Sequence, residues 1–171
     1  LEEEAFSEEV SEAAPRRAQM GTDVHQRYFA AQDAMQYQKE VTVRWEGTWR
    51  DLQVRVEGRA DGCRRTPGGI MVEEIKSTLR DASQMADLRA VQAHIEQCGF
   101  YCLFLERAGT PVAGGIVKYI SIPDGSIREF EVGYRSAVYG EMFDRRLIAL
   151  VKDYRERQDQ ALNFIRNHPD I

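Results

Sequence analysis

Two carboxylates and a lysine are spaced so that they could meet on two neighbouring β-strands. An apolar-alternating run over residues 56–62 carries Asp61, and the run over residues 70–77 carries Glu74 and Lys76. Side chains at i and i+2 of a strand share a face, so Glu74 and Lys76 project together while Ile75 points to the core. Two acids beside a lysine are costly to assemble. Such a group typically holds a divalent cation through oxygen ligands and acts on a phosphate.

Each of these residues also has a simpler interpretation. A Glu-x-Lys pair is common on the solvated face of a sheet, and Asp61 before Gly62 is typical of a turn. Glu73 lies on the opposite face of the strand from Glu74. It is the second choice of ligand if the strand register slips by one residue.

The elements that would position these residues follow from hydrophobic periodicity. A helix is predicted from an N-cap at Thr22, after Gly21, to about Tyr37. From Val41 the period changes to two, which predicts a hairpin with its turn at residues 46–48. The Asp61 strand then extends to about Arg64, and the Pro/Gly segment 66–69 turns the chain into the Glu74 strand.

The second half of the chain returns to helical periodicity beyond Leu79, where Leu88, Val91, Ile95 and Cys98 share one stripe. Two strands are predicted at 115–122 and 127–132, around a turn at 123–126, and a long closing helix at 137–165. We expect one domain over residues 1–171, with an acidic lead-in at 1–14 and a tail at 167–171.

Net charge and cysteine content limit the classes of protein to which this chain could belong. The net charge of -5 over 171 residues argues against nonspecific coating of nucleic acid through bulk positive charge, although a local basic groove remains possible. Three cysteines leave an odd thiol without a Cys-x-x-Cys spacing, which favours a reducing, cytoplasmic setting and no iron–sulfur cluster. No apolar run approaches a membrane span or a secretory signal. The first residue is Leu1, which is expected of a piece of a longer polypeptide or a trimmed start.

Four ordered motifs resemble the PD-(D/E)XK nuclease superfamily, within it the RecB/AddB-like exonucleases and their helicase-linked relatives. The family's Gly-x-x-x-His, Gly-x-x-Asp, acid-x-Lys and His-x-x-Gln-x-x-x-Tyr segments match residues 21–25, 58–61, 74–76 and 94–101. The resemblance implies an α/β, restriction-endonuclease-like core with a mixed sheet flanked by helices. It also implies a metal-dependent nuclease, an exonuclease on single-stranded or end-bearing DNA in repair or recombination. The tail from His168 resembles the lead into a DinG/XPD-like helicase, which would be a partner in the same polypeptide.

The resemblance also assigns roles to individual residues. His25, Asp61 and Glu74, with the carbonyl of Ile75, would bind Mg²⁺ or Mn²⁺, and the imidazole tilts the preference toward Mn²⁺. Lys76 would orient the attacking water or stabilise charge developing on phosphorus. The remaining expected site residues would position the phosphate backbone or the water through neutral hydrogen bonds; they are Gln97 and Tyr101.

Two alternatives stay open. The chain could be a nuclease-like module that binds DNA or a protein without turnover, although the full set of ionisable residues argues against it. It could also be a plain α+β interaction domain with no site, in which case His25 would lie far from Asp61.

Overall fold

A mixed five-stranded sheet forms the centre of the fold. The computed structural model describes residues 18–49 and 51–167. The sheet order is β1-β2-β3-β4-β5, with only the β3–β4 pair parallel. The strands are β1 Tyr37–Trp49, β2 Leu52–Thr66, β3 Gly69–Thr78, β4 Val112–Ser121 and β5 Ile127–Val132. Strands in a parallel pair need a long crossover, and the connection from β3 to β4 carries two helices.

Helices flank this sheet, and the predicted fold class, α/β with a mixed sheet flanked by helices, is confirmed. The described helices of the unit that contains the sheet are α1 at residues 18–30, α2 Ala82–Met85 and α3 Gln92–Arg107, and a fourth described helix, α4 Ser136–Asn167, belongs to a separate unit. None of them combines the length and the apolar composition that a membrane crossing requires. The predicted lead-in at 1–14 and residues 168–171 of the predicted tail lie outside the described residues.

The chain divides into two compact units, residues 1–134 and 135–171. The second unit contains α4, which confirms the predicted closing helix. Its buried apolar positions recur every fourth residue, at Tyr139, Phe143, Leu147 and Val151. Ion pairs between charged side chains four residues apart stabilise the exposed surface, as in Arg157 to Asp153 at 3.0 Å.

Helix α1 differs from its prediction at both ends. Thr22 is not an N-cap, because it lies inside the helix and its hydroxyl donates to the carbonyl of Ala18 at 3.0 Å. Gly21 serves packing instead, since a Cβ there would lie 2.8 Å from Ser77 Oγ on β3. The helix ends at residue 30, and Tyr37 is the first residue of β1.

The β1–β2 hairpin is longer than predicted. The expected turn at 46–48 is wrong, because β1 continues through these residues and Gly47 pairs with Val54. The chain reverses between Trp49 and Leu52. A Cβ on Gly47 would lie 2.4 Å from the ring of Trp45, so this glycine makes room for an aromatic ring and does not turn the chain.

The predicted helix after β3 is two helices. The short α2 is capped by Asp81, whose side chain accepts the N–H of Gln84, and Asp124 from the β4–β5 turn accepts the N–H of Ala82 at 2.7 Å. Leu88 and Val91 lie outside both helices, so the stripe that the sequence suggested begins only within α3. The turns at 66–69 and 123–126 are confirmed.

Candidate active site

Strand β3 carries the predicted acid-x-Lys pair on one face. Glu74 is only 2% exposed, and its Oε1 accepts a hydrogen bond from Lys76 Nζ at 2.5 Å. Its second oxygen, Oε2, is buried without a hydrogen-bond partner. Burial raises the pKa of Glu74; the Lys76 ammonium opposes this shift and the Asp61 carboxylate adds to it. Burial would lower the pKa of Lys76, but Glu74 and Asp61 together raise it, so Lys76 stays protonated.

The side chain of Asp61 on β2 forms a hydrogen bond to β3 just beyond the last backbone pair of the two strands. The last ladder pair toward the site is Gly62 with Glu73. One residue further, Asp61 Oδ2 accepts the backbone N–H of Ile75 at 2.7 Å. The Ile75 side chain is buried with Val24 and Ile120, on the face of β3 opposite the Glu74 side chain. The carboxylate is therefore held beside the Glu74–Lys76 pair.

His25 on helix α1 lies within electrostatic range of Asp61 and Lys76. Its Nε2 is buried without a hydrogen-bond partner. Burial lowers the pKa of His25, the Asp61 carboxylate partly opposes that shift, and the Lys76 ammonium reinforces it. The imidazole is therefore neutral at pH 7, the form that can act as a ligand. The charges of Asp61 and Lys76 act on His25, contrary to the expectation for an interaction domain in which His25 lies far from Asp61.

Gln97 and Tyr101 reach the site from helix α3. Gln97 Nε2 donates to the Tyr101 hydroxyl at 2.8 Å, as their spacing of four residues allows. Tyr101 acts electrostatically on Lys76. A Cβ on Gly58 would lie 2.6 Å from Tyr101 Cε1, so the glycine of the Gly-x-x-Asp segment leaves room for the tyrosine ring.

Hydrogen bonds to Tyr119, which the sequence did not predict, hold the start of α3 in place. His94 Nδ1 lies 2.8 Å from the hydroxyl of Tyr119 on β4, and this hydroxyl also accepts the N–H of Val91 at 2.9 Å. Burial, and then the Lys76 ammonium, lower the pKa of His94. Tyr119 belongs to no motif, and its alternating strand position was the only signal that could have placed it near α3.

Glu73, the second choice of ligand, lies on the opposite side of the sheet from Glu74, and its carboxylate oxygens contact other side chains of the protein. It is 0% exposed. Its Oε2 accepts from the Tyr28 hydroxyl at 2.7 Å, and its Oε1 lies 3.0 Å from Arg64 Nε and 3.2 Å from Lys118 Nζ. Both oxygens of Glu73 are therefore engaged, whereas Glu74 keeps a buried oxygen without a partner.

The donor set suits a divalent cation, although its atoms do not already converge on one point. Within the described parts of the chain, no three His, Cys, Asp or Glu side chains stand close enough together to hold an ion. Unpartnered buried polar atoms are costly, and two of them, His25 Nε2 and Glu74 Oε2, belong to predicted ligands. Imidazole nitrogen and carboxylate oxygen are ligands that Mn²⁺ accepts, and Mg²⁺ is served by the carboxylates. The residues present therefore fit such an ion.

Comparison with known proteins adds information on the fold. No model of a protein family and no curated protein matches the sequence. The crystal structure of SSO0001 superposes with a TM-score of 0.57 at 20% identity, over 86% of this chain and 68% of that one. A "putative exonuclease" from Eubacterium rectale matches at a TM-score of 0.40 and 14% identity, over 67% of this chain and 44% of that one. The likeness to SSO0001, at 20% identity, shows the fold alone.

Proposed function

We propose that this chain is a metal-dependent nuclease domain that hydrolyses phosphodiester bonds in DNA. The observation that carries the proposal is the pair of buried, unpartnered ligand atoms, His25 Nε2 and Glu74 Oε2, in a group that includes Asp61 and Lys76. A structural ion pair would satisfy its buried oxygens internally, as Glu73 does. Residues that bind an ion, in contrast, need nitrogen or oxygen atoms without a partner in the protein, so that the ion can accept their lone pairs.

His25, Asp61 and Glu74 would hold Mn²⁺ or Mg²⁺, and the carbonyl of Ile75 is a further candidate ligand. The ion, when bound, would polarise the scissile phosphate and increase the acidity of a water. Binding requires side-chain rotations that bring the three ligands to one point, since no three such side chains of the described residues already converge. Asp61 and Glu74 each use one oxygen within the protein, which leaves the other oxygen to bind the ion. A neutral His25 needs no proton loss to bind.

The other side chains would act on the substrate directly. Lys76 remains protonated and half-buried beside the acids, so its ammonium can orient the water or stabilise negative charge on the phosphate oxygens. The Gln97–Tyr101 pair, fixed on α3 with Gly58 beneath the tyrosine ring, presents neutral donors that can position the phosphate backbone.

The finer assignment follows from the motifs. We propose an exonuclease of the RecB/AddB-like branch that acts on single-stranded or end-bearing DNA in repair or recombination, with a helicase domain as a partner. Linear and circularised single strands of one sequence separate exonuclease from endonuclease action. An exonuclease degrades only the linear strand, and cleavage of both at equal rates contradicts this part of the proposal.

Substitution at the site tests the proposed chemistry. The domain is incubated with labelled single-stranded DNA and Mn²⁺, with EDTA as the metal-free arm. Asp61→Asn, Glu74→Gln and Lys76→Met should each lower the cleavage rate by about 100-fold or more, the scale seen when one preorganised charge-stabilising group is removed. The matched control is Lys152→Met, on the exposed surface of α4. Undiminished cleavage by Lys76→Met or Asp61→Asn contradicts the assignment.

One observation favours a second candidate function. Because no three potential ligands of the described residues already converge, a nuclease-like module that binds DNA without turnover is consistent with the geometry. Calorimetric titration with Mn²⁺ separates the two functions. Binding that is lost in Glu74→Gln supports the enzyme, and absence of Glu74-dependent binding supports the binding module.

A further inference from the structure

A second cluster of charged side chains lies on the opposite side of the sheet from Glu74 and is not used by the proposed chemistry. Glu73 lies at its centre, with Arg64 and Lys118 against Oε1 and the Tyr28 hydroxyl against Oε2. Lys118 Nζ also contacts Glu129 at 2.9 Å. We call these five residues the Glu73 cluster.

The cluster is almost completely shielded from water at its centre. Glu73 is 0% and Lys118 7% exposed. A buried acid is costly unless cations and hydrogen bonds compensate it, and here two cations face two acids. Such an arrangement fixes the groups that compose it, because moving Glu73 or Lys118 deprives a buried charge of a partner.

One member of the cluster belongs to helix α1, which carries His25. The Tyr28 hydroxyl donates to Glu73 Oε2 at 2.7 Å and accepts from Lys118 Nζ at 2.9 Å. Just after the helix, Gln32 Oε1 accepts from Arg64 Nη2 at 2.8 Å, and its Nε2 donates to the carbonyl of Tyr28 at 3.0 Å. The carboxyl end of α1 is therefore hydrogen-bonded to the charged centre of the sheet.

Apolar contacts complete the attachment of α1. Val24 packs with Ile75 and Ile120, and Tyr28 is among the partly buried residues against this core. Apolar packing alone tolerates sliding, whereas hydrogen bonds to a buried carboxylate fix the rotation and height of the helix.

Two short covalent links then connect the cluster to the proposed metal ligands. Tyr28 lies three residues after His25, so the two side chains stand on neighbouring positions of one helix surface. Glu73 directly precedes Glu74, and successive strand residues point to opposite faces. The hydrogen bond from Tyr28 to Glu73 thus joins the helix of one ligand to the strand of another.

We propose that Tyr28 and Glu73 are positioning residues that hold His25 at the height where its imidazole can share an ion with Asp61 and Glu74. This inference rests on the proposed metal site. The Glu73 cluster sets metal affinity from the far side of the sheet, without contacting the ion or the DNA.

The test is a calorimetric Mn²⁺ titration of Tyr28→Phe, which removes one hydroxyl and keeps the ring. Mn²⁺ affinity should fall about 10-fold, within the range known for partners that orient metal ligands. In a His25→Ala background the same substitution should change affinity by less than about twofold, because the ligand that it positions is gone. The matched control is Tyr154→Phe on the exposed surface of α4, which also removes one tyrosine hydroxyl, lies outside the Glu73 cluster and should leave affinity unchanged.

The outcomes separate this inference from the proposed function. If the unsubstituted protein shows no Glu74-dependent Mn²⁺ binding, the proposed metal site is wrong and the positioning role falls with it. If the unsubstituted protein binds Mn²⁺ and Tyr28→Phe binds it equally well, only the positioning role is overturned. An equal loss with and without His25 also overturns it, because the hydroxyl would then act through general stability. Should Tyr28→Phe not fold, Gln32→Leu is interpreted in the same way.

Discussion

Adjacent residues Glu73 and Glu74 should respond in opposite ways to loss of their charge. Both are buried acids on β3, at 0% and 2% exposure, and both can be changed to glutamine with little change in shape. We expect Glu73→Gln to destabilise the fold strongly and retain Mn²⁺ binding at reduced affinity. Glu74→Gln should leave stability almost unchanged and abolish Mn²⁺ binding.

The magnitudes follow from the partners of each carboxylate. Glu73→Gln leaves Arg64 and the buried Lys118 without their shared acid, and breaking a buried pair from one side costs about 3 kcal/mol or more. For a chain of this size, about 3 kcal/mol lowers the melting temperature by roughly 6–12 °C. Glu74 has one partner, Lys76, whose side chain is 30% exposed and can be hydrated after the change. Loss of this pair is offset because a neutral glutamine avoids the cost of burying a charged carboxylate, the same cost that raises the pKa of Glu74. The net change in the free energy of unfolding should therefore stay below about 1 kcal/mol.

The pH dependence of stability gives an internal check. The pKa of Glu74 in the folded protein lies above its usual value of 4.5, so ionisation of Glu74 costs more in the folded than in the unfolded state. The contribution of protonated Glu74 to stability is therefore fully present below pH 4.5, and it is lost as the pH rises through the pKa of Glu74 in the folded protein. Any stability gain of Glu74→Gln over the unsubstituted protein should therefore be largest near pH 7 and vanish at acidic pH.

Thermal unfolding and Mn²⁺ calorimetry on the two variants measure these effects. The reasoning is refuted if Glu73→Gln abolishes Mn²⁺ binding while Glu74→Gln binds normally, because the ligand would then be Glu73. A loss of about 3 kcal/mol in Glu74→Gln would also refute it, since that would make Glu74 a structural acid.

Three further outcomes are expected. Gly58→Ala should force the ring of Tyr101 aside, which costs about 1–3 kcal/mol by thermal unfolding and lowers cleavage by the folded protein; normal cleavage would show that the tyrosine position does not matter. Mn²⁺ affinity measured by calorimetry should fall as the pH is lowered to 4.5, because the pKa of the buried Glu74 lies above its usual value of 4.5 and protons then compete with the ion for its carboxylate; an affinity that stays constant down to pH 4.5 would contradict Glu74 as a ligand. The Cys63 thiol, buried and with its pKa raised to about 12, should react with iodoacetamide only after unfolding; rapid labelling of the native protein would contradict its burial.

Local patterns predicted much of the sheet and part of the site. Period-two alternation and the Pro/Gly segments gave β3, β4, β5 and the turns at 66–69 and 123–126, because these signals depend on neighbouring residues alone. The same alternation placed Glu74 and Lys76 on one face, and they are in contact. The i, i+4 spacing likewise predicted the Gln97–Tyr101 pair.

Two of the errors fall where a glycine makes room for a neighbouring side chain. The sequence placed Gly21 just before a helix start at Thr22 and Gly47 within a turn, yet each makes room for a side chain. In the first case that side chain is Ser77 on another element, and in the second it is Trp45 two residues away on the same strand. A sequence shows that a glycine is present, but only the packed structure shows what approaches it.

The order of amino acids along the chain limits which residues could form the candidate site and sets how they are spaced along each element. The tertiary structure decided that His25 lies within the electrostatic reach of Asp61 and that Glu73 is enclosed by Tyr28, Arg64 and Lys118. Periodicity fixes the direction of a side chain relative to its own strand or helix. Partners that come from other strands and helices depend on sheet order and helix docking, which arise from the burial of the whole core.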